Sequence, residues 1–254
     1  MKFWKFLLGL GSVVLASIGT LLFQPTVFCE ITLPVAAKLA GWKAEAGSAR
    51  LSAFGTLEIL ELEAVNEAKS RIAMDSAKVE FDPVKLVTGR PEILRADFKF
   101  AMVDLELEPA SKQEERKKAP LSLPFSLREA LVELAEGRFR TETGVWIVKS
   151  AQIAAEGWDG RTPQEIRLQL GKLDWNGPGK EELATTTQAT AKKSKTLAGE
   201  DVWGLKLTTD VSAVVDLPPW NLVSPCQLAL EGKAVNRAEG GWRVDGLEAV
   251  WQGV

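Results

Sequence analysis

The chain contains no histidine and no tyrosine. Without an imidazole it loses the commonest general base, the commonest transition-metal ligand and the triads built on that ring. Cysteine is nearly absent too. Cys29 and Cys226 stand far apart and do not form a disulfide framework, so both are expected to be free. Basic charge is not in excess: the formal net charge is −3, and the basic face that nucleic acid requires is missing. Carboxylate or Lys–Ser chemistry would need those residues gathered in a motif, and no stretch gathers them. The sequence therefore assigns no catalytic residue, no metal ligand and no cofactor, and it reads as something other than an enzyme.

What is present is enough to fold. Hydrophobic residues make up 46% and charged residues 26%, a composition of globular protein and not of a disordered one. One apolar run stands out. From Phe6 to Phe23 there is no charge, and at a helical rise that run extends ~27 Å, close to the hydrocarbon core of a bilayer. Trp4 sits where an interfacial aromatic belongs, and Phe6, Leu10, Leu15, Ile18, Leu22 and Phe23 supply the apolar body of the expected anchor. Lys2 and Lys5 on the short side keep Met1 cytoplasmic by the positive-inside rule and export the rest. A cleaved signal peptide also fits, with Ser17-Ile18-Gly19 near the cut, but Leu21 to Phe23 continue the apolar run beyond it. Lipoprotein processing before Cys29 meets bulky Phe28 where a small residue is expected.

Behind the anchor, Gln24-Pro25 is expected to break the helix, and Val35 to Ala40 to form a short one that Gly41 stops. From Trp42 onward the dominant period is two, which predicts strands with one apolar face. Three runs share a one-residue slip. Leu57 and Ile59 pass to Leu60 and Leu62; Ile72 and Met74 pass to Ala77, Val79 and Phe81. Ala96, Phe98, Phe100 and Met102 pass to Val103, Leu105 and Leu107. A slip flips every later side chain unless a bulge absorbs it, so slips at one level in neighbouring strands predict a strongly curved sheet. The same runs could instead be short strands meeting at a corner.

Asp82 to Pro91 reads as a connection holding one helical turn, and Ala110 to Pro120 as a charged, solvated loop. Leu121 to Phe139 reads as a strand with some helical spacing. Val145, Ile147, Ala151 and Ile153 alternate, as do Ile166, Leu168 and Leu170. Residues 177–200, rich in Thr, Ala, Lys and Gly, read as a flexible linker. Leu205 to Leu217 hold one face without a slip until Pro218-Pro219, and two further runs reach Val254 with no closing element, as in the N-terminal portion of a longer polypeptide.

The expected organisation is thus an anchor at 1–23, a juxtamembrane segment at 24–41, strands at 42–176, a linker at 177–200 and continuing strands at 201–254. The fold class is mainly β: a transmembrane helix followed by a curved antiparallel sheet. An apolar sheet face must be buried against something, and helices are scarce here. A second sheet, a sheet curled on itself and an apolar ligand all satisfy that need; the slips favour curling.

The order of features resembles the start of the AsmA/TamB-like family. The resemblance rests on the anchor, the short helix ending Leu39-Ala40-Gly41, and the strand Phe54-Gly55-Thr56-Leu57-Glu58-Ile59. It continues through Val79-Glu80-Phe81-Asp82-Pro83, Leu86 and Gly89 into Ile93 to Leu107, with weaker likeness at Leu173-Asp174-Trp175 and Leu217-Pro218-Pro219-Trp220. It implies a protein of the Gram-negative inner membrane, single-pass, with its bulk in the periplasm. It also implies an open, taco-like β-groove that carries phospholipid acyl chains toward the outer membrane. The residues expected to line the groove are Leu57, Ile59, Met74, Val79, Phe81, Phe98, Phe100 and Met102. The second expectation is a membrane-tethered assembly module that docks an envelope protein, such as a nascent outer-membrane protein, at an open sheet edge.

Overall fold

The computed structural model describes residues 25–52, 55–87, 91–107, 125–159, 162–176, 183–195, 201–217, 220–223, 226–236 and 242–253. Trp4, Phe6, Leu10, Leu15, Ile18, Leu22 and Phe23 of the expected anchor lie outside them, as does the charged insert Ala110 to Pro120. Among the described residues no helix is long and apolar enough to cross a membrane.

From Pro25 to Leu39 the chain is helical. A turn α1 (Pro25–Val27), a π turn (Phe28–Thr32) and α2 (Leu33–Leu39) follow one another directly. Pro34 lacks the N–H that would bond the carbonyl four residues back, and the chain widens just before it, so that the Leu33 N–H reaches Phe28 O. Gly41 then ends the helix as expected. Its φ of +80° is a left-handed value that side chains resist, and its N–H donates to Lys38 O at 3.0 Å.

Among the described residues there are twelve strands, and eleven of them form one open, curved sheet in chain order, with β9 neighbouring β11. They are β1 (Trp42–Leu51), β2 (Thr56–Asn66), β3 (Arg71–Phe81), β4 (Glu92–Glu106), β5 (Ser126–Thr141) and β6 (Gly144–Trp158). The series continues with β7 (Glu165–Asn176), β8 (Leu183–Lys195), β9 (Asp201–Leu217), β10 (Trp220–Val223), β11 (Cys226–Asn236) and β12 (Trp242–Gly253). The short β10 pairs with β9 beside the place taken by β11. The single helical turn expected between β3 and β4 is α3 (Pro83–Val87), capped by Asp82 Oδ1, which accepts from Val84 N at 2.9 Å and Lys85 N at 3.2 Å.

Two expectations need correction. The sheet is not wholly antiparallel, because β4 and β5 run parallel. The connection 107–125 is long enough for such a crossover, which takes a dozen or more residues. Residues 183–195, expected within a linker, are a strand with partners on both sides, β7 and β9. Threonine suits a strand, and pairing on two edges orders a sequence that has few large apolar side chains.

The slips are real and longer-ranged than the sequence revealed. The β1–β2 ladder pairs Ala46 with Leu62 and Ser48 with Leu60, skipping Gly47 and Glu61. Glu61 and Asp75 are skipped between β2 and β3, then Ala101 and Ala135, Ala135 and Ser150, and Ser150 and Gly171 in the later pairs. Between β3 and β4 the register shifts around Met74. These positions form one crease from β1 to β7, ending where the register shift between Leu170 and Leu173 meets β8. A second, shorter line passes through Leu94, Arg128 and Gly157, whose φ is +66°.

Candidate functional site: an apolar face covered at one end and open at the other

Register carries one apolar row across the whole sheet: Ile59, Ala77, Phe98, Val132, Ile153, Leu168, Ala189, Leu207, Leu230 and Ala249. The neighbouring row on the opposite face runs Glu58, Lys78, Asp97, Leu131, Ala154, Arg167, Thr190, Lys206, Glu231 and Glu248. One face is therefore apolar along this row, and the other is mostly charged, with Leu131 and Ala154 interrupting it on β5 and β6.

The apolar face changes character along the sheet. Over β1 to β4 it is a closed core in which Phe28, Leu33 and Ala37 of the helical entry join Trp42, Ala44, Leu62, Ala64 and Ile72. Beyond β4 most side chains are half-buried, and Ile153 is 44% and Leu205 36% exposed.

That gradient divides the residues expected to line a groove. Leu57, Ile59, Met74, Val79 and Phe81 are all at or below 9% exposure and belong to the core. Phe98 and Phe100 are half-buried and pack against its margin. Met102 is half-buried but out of phase with them. The crease falls before it, so it pairs with Ala73 and Glu136, while Phe100 pairs with Met74 and Leu134. Spacing alone placed Met102 with the phenylalanines because alternation was extended one step too far.

Sequence reasoning also passed over the open residues Ile153 and Leu205. In β6 the alternation through Val145 and Ile147 suggested no slip, whereas Ser150 resets the phase and puts Val148 in the row-sharing position. The signal was a one-residue excess in the spacing of Leu134 and Gly137, and of Leu170 and Leu173, at matching levels.

The charged face is braced by short-range ion pairs. Lys78 Nζ lies 2.6 Å from Glu80 Oε1, Arg95 Nε 2.8 Å from Asp97 Oδ2 and Arg140 Nη2 2.5 Å from Asp104 Oδ2. Hydrogen bonding to Glu80 and its charge raise the Lys78 ammonium above its ordinary value. Glu92, 8% exposed, is held by Arg128 Nε at 2.6 Å and by Lys85 Nζ. These are partly exposed ion pairs between neighbouring side chains. Among the described residues no group of three His, Cys, Asp or Glu side chains could hold a metal ion. Cys29 is free, with its thiol pushed up by burial and by neighbouring Glu30; the side chain of Cys226 lies outside the description.

No protein-family model and no curated protein matches this chain.

Proposed function

We propose that this protein is an inner-membrane-anchored β-groove that takes phospholipid acyl chains on its open apolar face. In this reading it serves phospholipid transport between the envelope membranes and the upkeep of the outer membrane. No covalent chemistry is involved. The observation that supports the reading is the continuation of the apolar row past the core, onto strands where Ile153 and Leu205 meet water. Exposed apolar area of that kind is costly for a protein that binds nothing there.

The lining residues in this proposal are Phe98, Phe100, Ile153 and Leu205. Leu57, Ile59, Met74, Val79 and Phe81 act as the packed support beneath them. The experiment is site-specific photo-crosslinking in cells with a photoreactive side chain at Ile153, at Leu205 and, as a control on the charged face, at Arg167. Acyl-lipid adducts at the first two positions and none at the third are expected. Equal labelling at all three, or none at any, would overturn the proposal.

The second reading, an assembly module for an envelope protein, is favoured by a different feature. β12 has a strand partner on one side only among the described residues, and Leu247 and Val250 on it are 63% and 52% exposed. Such an edge can accept a strand. Protein adducts at Leu247 in place of lipid adducts at Ile153 would select this reading.

A further inference from the structure

Only two residues within the strands other than glycine have a left-handed φ among the described residues: Glu61 at 55° and Ser150 at 57°. Both lie on the crease. Each faces a glycine on the adjacent strand, Glu61 opposite Gly47 and Ser150 opposite Gly171. A Cβ at Gly47 would stand 2.6 Å from Glu61 Oε2 and 3.1 Å from Glu61 Cβ. One at Gly171 would stand 2.9 Å from Ser150 Cβ and 3.1 Å from Lys149 O. The same device is thus built twice, five strands apart. Side chains resist the left-handed region, so its use twice on one line marks strain that the surroundings sustain.

The surroundings differ at the two sites. Glu61 is flanked along its strand by Ile59 and Leu62, both at or below 2% exposure, and the next strand adds Met74 and Ala77. Ser150 is flanked by Val148 and Ala151, with Leu170 and Leu173 on the next strand, and all four are half-buried. The backbone ladder is interrupted along the line, so rotation about it breaks no residue pairing between these strands. At β2 such a rotation would tear a packed core. At β6 and β7 it would move side chains that already meet water.

We propose that the crease is a hinge locked at the Gly47–Glu61 end and free at the Ser150–Gly171 end, so that the sheet widens and narrows its apolar face over β5 to β7 while β1 to β3 stay fixed. The register shift at β8 terminates the moving line.

The test is a distance measurement between paired spin labels on the full chain, in a Cys29→Ser, Cys226→Ser background without added lipid. One pair, Glu129→Cys with Arg138→Cys, spans the crease on β5; the other, Lys43→Cys with Arg50→Cys, spans it on β1. The expected result is a distribution on β5 at least twice as broad as that on β1. Ser150→Gly should broaden or shift the β5 distribution, whereas Glu61→Gly should leave the β1 distribution unchanged. Equally narrow distributions on both strands, with no response to Ser150→Gly, would show a fixed bend and overturn the hinge. Because no lipid enters the experiment, that outcome leaves lipid carriage to be decided by the crosslinks.

Discussion

The two halves of the sheet use the same pattern to different ends. In β1 to β4 the apolar face is packed against a helical entry, and most of the side chains on it are buried. In β5 to β9 the same rows continue at the same alternation, yet most of their side chains stay half-exposed. Apolar alternation alone therefore specifies which face is apolar and not whether that face is closed. Closure needs a second layer, and here the helical segment α1 to α2 packs on β1.

The sharpest way to break the comparison is to truncate matching side chains of one row. Leu57→Ala removes packing from the closed core and should cost about 2–5 kcal/mol of unfolding free energy. Ile153→Ala, where 44% of the residue already meets water, should cost under about 1 kcal/mol. Urea titration of both variants checks the pair. Similar losses would mean that the two halves are equally packed.

Glycine positions come next. Gly171→Ala drives a methyl against Ser150 Cβ and the Lys149 carbonyl, an overpacking cost of about 1–3 kcal/mol. Gly204→Ala meets nothing closer than Lys192 O at 3.8 Å and should be neutral or slightly stabilising. Thermal melts of the two variants separate a crease position from an ordinary strand position; equal midpoints would remove the crease's special status.

Cys29 gives a smaller effect at the covered end. Its thiol is raised by burial first and by the Glu30 carboxylate second, so less thiolate is present at a given pH than for an unperturbed cysteine. Alkylation near pH 8 should be slower than for a free thiol in a short peptide, and a rate equal to the peptide's would contradict the packed entry.

The smallest effect belongs to the charged face. The folded Lys78 ammonium is raised above its unfolded value, so its pairing with Glu80 contributes fully below about pH 10.5 and is lost as pH rises through the folded value. Lys78→Ala should therefore narrow the stability difference between neutral and strongly alkaline pH by a small amount, read from unfolding curves at both. No change would show the exposed pair to be inert, as many are.

Much of this architecture was legible in the residues. Alternation gave the strands, Gly41 the helix stop, and the slips in β2 to β4 the bend, because each depends on near neighbours in the chain. The strand over Leu183–Lys195 was not legible, since its order comes from partners on both sides and not from its own Thr- and Ala-rich side chains. The parallel step between β4 and β5 was equally hidden, because strand direction is set by a connection and not by a period. Of the residues expected to line a groove, Phe98 and Phe100 are half-buried at the margin of the core, five others are core, and the more exposed Ile153 and Leu205 went unselected. Sequence distinguishes apolar from polar faces; exposure depends on what lies above them.

The most direct test puts a charge on the open half. Ile153→Glu in the full chain should lose most of its bound lipid, measured by mass spectrometry of the purified protein, while its thermal midpoint stays near wild type because the carboxylate can hydrate at a half-exposed site. A collapsed midpoint in a protein whose wild-type form carries no lipid would contradict the account, and would make this face a closed core throughout.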